Sequence, residues 1–287
     1  MSGITARQEI SDADLRRYAG MVYEKTGIRI SPQKKLLLSN RIQRRLKVTG
    51  IDGFGAYLRH LTSLKTTDAE WEAFLQEITT HETYLFRDEP QWEWFQEEYL
   101  REIASDAREG RRPRALRIWS AACSTGDECF TIATCVAAKL TDLSQWNVRI
   151  VGTDIGVGAL AEARQAEFGE RAMRLVPDGL KRRFFTKAPT AELWRAKPAL
   201  SSMIAFRQHN LIDPLRESPF DLVILKNVLI YFDTESKKVV MGHLRSIIKP
   251  DGYLIAGAAE GVSSELRDMR RCQAWLYQQP RTQSSGK

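Results

Sequence analysis

Short apolar runs alternate with helical segments from residue 115 onward, and this alternation restricts the possible folds more than any other feature. The runs expected to be strands are 116–122, 148–152, 220–225, 252–257 and 274–277, and the expected helices are 129–140, 157–166 and 234–248. Consecutive parallel strands need a long crossover connection, which a helix usually provides. The sequence therefore predicts an α/β domain with a mostly parallel, doubly wound sheet.

The alternation breaks down between about residues 180 and 206, where short β-like runs are separated by Pro189 and Pro198. Proline has no N–H to donate to a strand ladder, so it interrupts pairing. We expect a small antiparallel β-subdomain there, inserted beside the main sheet.

The first hundred residues have helical spacing and no strand signal. Ser11 is suited to cap the first helix, and Gly27 is suited to end it. The sequence thus predicts an all-α N-terminal domain over residues 1–85, followed by the α/β domain over 86–287.

The net charge of +7 is concentrated near the N-terminus. Ten basic residues and one acidic residue fall between Arg16 and Lys47, so that stretch alone carries a charge of +9. A block of this kind indicates an acidic partner, which would be a nucleic acid, an anionic membrane or an acidic protein.

The composition excludes several classes of protein. A content of 43% hydrophobic residues supplies a core and argues against disorder. No apolar run reaches the roughly 18 residues of a membrane-spanning helix, and the N-terminus lacks an apolar signal segment. The four cysteines show neither CxxC pairing nor the density of a disulfide scaffold. We expect a reduced, cytoplasmic protein that does not insert into membranes.

The turn after the first expected strand is poor in glycine. Dinucleotide sites use several glycines there because the backbone must approach a pyrophosphate, whereas this turn retains only Gly126. Asp127 and Glu128 begin the next helix, where they would repel phosphates. These residues favour a ligand with a cationic or ribosyl group, and they also suit an ordinary turn whose acids complement the helix dipole.

Asp154 ends the second expected strand. An acidic residue at this position typically binds ribose hydroxyls, and its alternative role is to cap the following helix. Together with the glycine-poor turn, Asp154 points to S-adenosylmethionine, which joins an adenosine to a sulfonium cation and carries no phosphate.

Four segments resemble motifs of the CheR family of chemoreceptor glutamate methyltransferases. They are ITTHETYLFRD (78–88), SAACSTGDE (120–128), FDLVILKNVLIYF (220–232) and KPDGYLIAG (249–257), and they occur in the family's order. The resemblance covers nearly the whole chain. It implies the Rossmann-like fold of class I S-adenosylmethionine-dependent methyltransferases. It also implies methyl transfer from S-adenosylmethionine to receptor glutamates, with S-adenosylhomocysteine as the other product.

The resemblance also implies a set of site residues. Those implied to bind the cofactor are His81, Thr83, Arg87, Glu128, Asp154, Asn210, Leu211, Lys226 and Asn227. Arg87 and Tyr231 are implied to be catalytic, with Arg87 suited to hold a carboxylate by paired hydrogen bonds. His81 and Lys226 stand where the family usually has Asn and Arg. Without the resemblance, strand-end capping and core packing would explain Asn227 and Tyr231.

The acidic partner implied by the resemblance is the cytoplasmic domain of a chemoreceptor. We expect Arg41, Arg44 and Arg45 to dock it, because they crowd one arc of a helix beside an apolar stripe. We expect a monomer with no nucleic-acid partner. A nucleic-acid methyltransferase and a non-catalytic, cofactor-binding regulator are the alternatives.

The expected β-subdomain also bears on receptor binding. Some members of the resembling family grip a tethering peptide at the receptor C-terminus with a glycine-rich loop in this region. The corresponding stretch here, 185–195, has no glycine. Peptide addition to an edge strand needs an unhindered backbone, so we expect activity that does not depend on such a peptide.

Overall fold

The computed structural model describes residues 9–80, 82–188 and 192–281, except the side chain of Ala258. These residues form two compact units. The first, termed the helical unit, contains the described residues up to Thr80 together with Tyr231–Ser236, and the second, termed the α/β unit, contains the others. The division falls earlier than the boundary expected at residue 85, because Leu85 and Phe86 are buried in the core of the α/β unit.

The helices expected from the sequence spacing are present, and three short helices between residues 170 and 201 were not expected. They are α1 (Asp12–Thr26), α2 (Lys35–Thr49), α3 (Phe54–Ser63), α4 (Ala69–Ile78), α5 (Glu89–Trp94), α6 (Leu100–Arg108), α7 (Asp127–Lys139), α8 (Val157–Gln165), α9 (Glu170–Met173), α10 (Asp178–Phe184), α11 (Pro198–Ser201) and α12 (Thr234–Ser246). A π-helical turn at Phe95–Tyr99 joins α5 to α6.

The helical unit is built around an aromatic cluster. The ring of Phe74 lies 6.0 Å from that of Tyr18, 6.1 Å from that of Tyr57 and 5.5 Å from that of Trp71, and all four side chains are buried. Rings in this range of separations pack favourably beyond their buried area. One residue from each of α1 and α3 and two from α4 thus form the centre of the unit.

The segment Tyr231–Ser236, termed the returning segment, belongs to the helical unit although it lies far along the chain. The backbone N–H of Arg29 donates to the carbonyl of Tyr231 at 2.8 Å, and Ile28 pairs with Phe232 in an antiparallel bridge. The ammonium group of Lys34 lies 5.0 Å from the centroid of the Tyr231 ring.

The strands of the described residues form two sheets. They are β1 (Ala115–Ala121), β2 (Asn147–Asp154), β3 (Glu167–Gly169), β4 (Phe185–Lys187), β5 (Leu193–Ala196), β6 (Ile204–Gln208), β7 (Phe220–Leu225), β8 (Ile248–Ala256), β9 (Arg270–Arg271) and β10 (Leu276–Gln278). The main sheet has the order β6-β2-β1-β7-β8-β10-β9, and its first five strands are parallel. The predicted mostly parallel sheet is confirmed.

The smaller sheet differs from the expected insertion over 180–206. It has the order β3-β5-β4, with antiparallel pairing throughout, and β3 comes from Glu167–Gly169, outside the expected range. In contrast, Ile204–Gln208 pairs in parallel with β2 and forms the edge of the main sheet. A strand of three residues is too short to show a period, and an edge strand that is only half buried resembles an insertion in sequence.

The carboxyl ends of β1, β2 and β7 meet at one edge of the main sheet. The chain order reverses between β1 and β7, since β2 and β6 lie on one side and β8 on the other. Ligands of open α/β sheets bind in the crevice at such a reversal. Among the described helices, none is both long and apolar enough to span a bilayer.

Candidate active site

The turn between β1 and α7 has a left-handed backbone at alternate residues. The φ angle is 64° at Ala122, 52° at Ser124 and 87° at Gly126. A Cβ atom at Gly126 would lie 2.9 Å from Cβ of Ala163, so only glycine fits there. The buried hydroxyl of Ser124 has no hydrogen-bond partner among the described residues. The turn therefore presents an unpartnered polar group at the carboxyl end of β1.

Asp154, at the end of β2, connects two turns. One carboxylate oxygen accepts the backbone N–H of Ser124 at 2.8 Å, and the other accepts the backbone N–H of Gly156 at 2.9 Å. The bond to Gly156 orders the turn before α8 and is not a helix cap, because Gly156 is the N-cap residue of that helix and no side chain caps it. Each carboxylate oxygen has a second lone pair, so Asp154 can hold both turns and still accept a hydroxyl group.

Glu128 lies in the first turn of α7. Its Oε1 accepts a hydrogen bond from the hydroxyl of Ser120 at 2.7 Å, and its Oε2 lies 3.4 Å from Nζ of Lys226. The side chain of Glu128 is 15% exposed, so this carboxylate is held mostly out of water between β1 and β7. A carboxylate oriented by two fixed partners is preorganised for a ligand.

Lys226 follows β7, and its side chain is only 5% exposed. Besides Glu128, its ammonium group lies 3.3 Å from Oδ2 of Asp88 and 3.3 Å from the carbonyl of Arg87. The ring of Trp92 lies 4.9 Å away. Lysine donates three hydrogen bonds from a compact charge, and here all of its partners belong to the protein. Lys226 thus joins the first turn of α7 to the backbone at Arg87.

Arg87 ends the segment 82–87, termed the Arg87 segment. Its Nη1 donates to the carbonyl of Glu82 at 3.1 Å, and its guanidinium lies 5.7 Å from the ring centroid of Tyr84. Phe86 has a φ of 58°, and its N–H donates to the hydroxyl of Thr131 on α7 at 3.0 Å. Within the described ranges, no carboxylate forms an ion pair with Arg87. Donors of this guanidinium are therefore available to an anionic ligand.

Asn227 has a φ of 59°, which makes the chain turn sharply after Lys226. The fully buried carboxylate of Glu260 accepts the N–H of Val228 at 3.2 Å. Burial raises the pKa of Glu260, and hydrogen bonds from the N–H groups of Val228, Leu229 and Asn227 oppose this shift. Glu260 therefore fixes the backbone that carries Asn227.

The residues after β6 lie beside Asp154. The N–H of His209 donates to the carbonyl of Asp154 at 2.9 Å, and Leu211 is buried. The side-chain oxygen of Asn210 accepts the N–H of Ile212 at 3.4 Å. Burial lowers the pKa of His209, so its imidazole is favoured in the neutral form.

Two of the remaining residues implied by the resemblance, Thr83 and Tyr231, belong to different units. Thr83 is half-buried in the Arg87 segment. Tyr231 lies in the returning segment of the helical unit, and His81 lies outside the described residues. The α/β unit thus brings Glu128 and Lys226 to the backbone of Arg87. It also groups Asp154 with the first turn and with residues 209–211.

Three residues of this site were missed by sequence reasoning: Asp88, Ser124 and Glu260. Asp88 and Ser124 both have positive φ angles, 66° and 52°. Such angles are uncommon for non-glycine residues, so the sequence does not predict them. Glu260 closely follows the fourth motif, so its position after a strand was the available signal.

The site fits an adenosyl cofactor. Two carboxylates, Glu128 and Asp154, and the unpartnered hydroxyl of Ser124 lie around the carboxyl ends of β1 and β2. The sequence model of the CheR methyltransferase SAM binding domain matches residues 81–276, and that of the CheR all-alpha domain matches residues 13–79. The chain belongs to the CheR methyltransferase family.

Relatives over most of the chain agree with this assignment. The chemotaxis protein methyltransferase of Salmonella typhimurium is 31% identical over 92% of this chain and 89% of its own length. That of Escherichia coli is 33% identical over 91% and 88%. Chemotaxis protein methyltransferase 1 of Pseudomonas aeruginosa is 33% identical over 88% and 92%. The resemblance carried by the four motifs is confirmed, and this CheR-family chain is an S-adenosylmethionine-dependent methyltransferase.

The arginines expected to dock a partner of this CheR-family protein do not all face solvent. Arg45 forms two hydrogen bonds with Glu70 of α4, at 3.1 and 2.6 Å, and its side chain is 14% exposed. Arg41 donates to the carbonyls of Ile78 and Thr79, and burial lowers its pKa. Arg41 and Arg45 were expected to dock a partner, but their guanidinium groups bind a carboxylate and carbonyl groups of α4 and of Thr79, which follows it.

Arg44 is the exposed member of this set. Its side chain is 57% exposed and lies 2.7 Å from Oε2 of Glu77. On the same helix, Leu36, Leu37 and Val48 are also exposed. The solvent-facing side of α2 therefore mixes apolar and basic groups rather than presenting three arginines.

Proposed function

We propose that this protein transfers the methyl group of S-adenosylmethionine to glutamate carboxylates on the cytoplasmic domain of a chemoreceptor. The products are glutamate methyl esters and S-adenosylhomocysteine. The observation that carries this proposal is the Arg87 guanidinium, which has no carboxylate partner among the described residues, on a residue whose backbone carbonyl lies 3.3 Å from Nζ of Lys226. The relatives are chemotaxis protein methyltransferases, which supports the same reaction.

The reaction requires little acid–base catalysis from the protein. S-adenosylmethionine supplies a methyl group activated by a sulfonium cation. A glutamate side chain is ionised at neutral pH, since its ordinary pKa is about 4.3, so no general base is needed. Arg87 holds the carboxylate by charge-assisted hydrogen bonds, and Tyr231 orients it with its hydroxyl. Because opposite charges are neutralised as the ester forms, a dry site favours the transition state.

The cofactor is held by residues from several loops. In this proposal Asp154 accepts the ribose hydroxyls, and Glu128 contacts the cofactor from the start of α7. The other contacts come from His81, Thr83, Asn210, Leu211 and Asn227. Lys226 acts on the cofactor through Glu128, because its ammonium group is directed at protein groups.

One assay separates this proposal from its alternatives. The protein is incubated with methyl-labelled S-adenosylmethionine, a receptor cytoplasmic fragment and RNA, and the labelled product is treated with mild base. Carboxyl methyl esters release labelled methanol, which is the expected result. Base-stable label on RNA would indicate a nucleic-acid methyltransferase, and absence of label from both would indicate a regulator.

We propose that the receptor docks on the solvent-facing side of α2, with the protein acting as a monomer in the cytoplasm. Charge at such a surface mainly sets the association rate and the salt dependence of binding. Arg44→Glu should weaken receptor binding and leave cofactor affinity unchanged. Arg17→Glu is a matched control, since the Arg17 side chain is also 57% exposed and pairs with an acid, Asp14. Equal effects of the two substitutions would contradict docking through α2.

A further inference from the structure

The short helix α9 connects the smaller sheet to the Arg87 segment. On one side, Glu170 accepts a hydrogen bond from the indole N–H of Trp194 on β5 at 2.8 Å and lies 3.5 Å from the ammonium group of Lys181. The residue before α9 is Gly169, which ends β3 and pairs with Leu193. The start of α9 is thus fixed to the smaller sheet.

The rest of α9 contacts the Arg87 segment. Arg171 forms an ion pair with Glu82, and the carbonyl of Ala172 accepts the N–H of Leu85 at 3.1 Å. Leu85 is fully buried, so its backbone has little freedom to move away from α9. One charged contact at Glu82 and one backbone contact at Leu85 therefore connect the Arg87 segment to α9.

A third contact reaches Arg87 itself. The guanidinium of Arg174, directly after α9, lies 3.5 Å from the ring centroid of Tyr84, and the guanidinium of Arg87 lies 5.7 Å from the same centroid. Arg174 is held in turn by a hydrogen bond to the carbonyl of Arg171 at 3.0 Å. Among the described residues, the Arg87 guanidinium contacts the carbonyl of Glu82 and this ring.

The arrangement leaves positive charge unbalanced. The quadrupole of an aromatic ring attracts a cation over its face, but it does not neutralise a full charge. Among the described residues, neither Arg87 nor Arg174 forms an ion pair with a carboxylate. An anionic acceptor group beside Tyr84 would therefore meet two guanidinium groups whose positions depend on one ring.

We propose that Tyr84 and Arg174 are positioning residues that hold the Arg87 guanidinium in place for the methyl-acceptor carboxylate. This inference rests on the proposed function, in which Arg87 binds that carboxylate. Tyr84 acts through its ring rather than its hydroxyl, and Arg174 acts through Tyr84. The smaller sheet thereby influences methyl transfer without touching the acceptor.

The test is a double-mutant cycle on the full-length protein with the receptor fragment as acceptor. Tyr84→Leu should lower kcat/KM for the acceptor about tenfold, the size of one lost contact between a cation and a ring. Tyr84→Phe keeps the ring and should stay within about twofold of wild type. Arg87→Ala should lower kcat/KM by ~10². In the Arg87→Ala background, Tyr84→Leu should have no further effect, because its target is gone.

Arg183→Gln is the control for the substitution of Arg174. Arg174→Gln should resemble Tyr84→Leu, whereas Arg183→Gln should match wild type, since Arg183 lies 4.8 Å from the ring of Phe184 without contacting the Arg87 segment. Affinity for S-adenosylmethionine, measured by calorimetry, should not change in any Tyr84 or Arg174 variant. Additive effects of Tyr84→Leu and Arg87→Ala, or a defect in Tyr84→Phe equal to that in Tyr84→Leu, would overturn this inference alone. A wild-type protein that forms no methyl ester would overturn the proposed function and this inference with it.

Discussion

The ammonium group of Lys226 lies 3.4 Å from Oε2 of Glu128, and both side chains are largely shielded from water. The pair joins the end of β7 to the start of α7, across the carboxyl edge of the main sheet. Asp88, at 3.3 Å from the same ammonium group, extends the contact to the turn after Arg87. A single lysine therefore links Glu128, which we propose to bind the cofactor, to the segment that we propose to hold the acceptor.

We expect Lys226→Met to weaken the binding of S-adenosylmethionine by about tenfold or more. Removing one partner of a buried ion pair leaves the other charge uncompensated, and Glu128 and Asp88 would then repel each other. Lys226→Arg keeps the charge and should bind more tightly than Lys226→Met. Calorimetric titration measures both affinities.

A matched control for this prediction is Lys249→Met. Lys249 pairs with Asp221 at 2.9 Å in the same sheet, but its side chain is 38% exposed. Its loss should leave cofactor affinity unchanged. Wild-type affinity in Lys226→Met would show that Glu128 needs no orienting cation.

We expect Tyr231→Phe to reduce methyl transfer by ~10², the usual cost of losing one positioning contact. The fold of the helical unit should survive, because the contacts with Arg29 and Lys34 use the carbonyl and the ring of Tyr231 rather than its hydroxyl. Initial rates of ester formation test the first statement, and thermal unfolding tests the second. A wild-type rate in Tyr231→Phe would remove Tyr231 from the acceptor site.

The alternation of strands and helices was enough to predict five strands of the main sheet, β1, β2, β7, β8 and β10, because each of them has a local signal. Ser11 accepts the N–H of Asp14 at 3.0 Å as an N-cap, and Gly27 ends α1 with a φ of 72°. Hydrophobic period, caps and turn residues act within a few positions along the chain. They therefore do not decide to which sheet a short edge strand such as β6 belongs.

The site was predictable only where motifs supplied it. The motifs supplied Arg87, Glu128 and Lys226 as site residues, but the partner of each ammonium or carboxylate group depends on segments far apart in sequence. Lys226 meets Asp88, and Arg45 meets Glu70, through the fold alone. Counting charges along the chain thus overestimated the free positive charge of α2.

Arg45→Ala should lower the free energy of unfolding by about 1–3 kcal/mol, because it leaves the carboxylate of Glu70 without its two hydrogen bonds. Glu70 is 18% exposed and also accepts the hydroxyl of Tyr57, so it cannot simply turn to water. Arg44→Ala, at an exposed pair, should cost about 0–1 kcal/mol. Urea denaturation compares the two, and equal costs would mean that Arg45 is dispensable for the fold.

Asp127→Asn should stabilise the protein at neutral pH. Burial raises the pKa of Asp127 above its ordinary value of 3.8, although the hydrogen bond from Thr125 opposes the shift. The protonated carboxyl of Asp127 is thus favoured more in the folded state than in the unfolded state. Its contribution to stability is complete below the ordinary pKa and is lost as the pH rises through the raised one. Asparagine keeps an acceptor for Thr125 and carries no charge.

The expected signature is a higher Tm for Asp127→Asn than for wild type at pH 7, with the difference closing toward about pH 4. Calorimetric unfolding over a pH series measures it. Asp178→Asn serves as the control, because Asp178 is an exposed residue in the first turn of α10 and its replacement should not raise the Tm. A gain for Asp127→Asn that is constant with pH would contradict the charge-burial argument.

Methylation should not depend on a tethering peptide at the receptor C-terminus. The strands β4 and β5 form a hairpin that closes with a hydrogen bond from the N–H of Ala188 to the carbonyl of Leu193, at 2.9 Å. The loop is therefore short, although 189–191, including Pro189, lie outside the described residues. Receptors with and without their last residues should be methylated at equal rates. A tail peptide that binds the enzyme at micromolar strength would refute this.

The returning segment makes the helical unit discontinuous in sequence. The chain leaves that unit after Thr80, comes back at Tyr231 and departs again after Ser236. A single recombination point near residue 81 would separate Ile28 from Phe232, its bridge partner. Exchange of the helical unit between relatives therefore requires compatible residues at two distant places in the gene. A gene fragment that carries the whole helical unit must therefore encode residues 231–236 as well as the N-terminal residues.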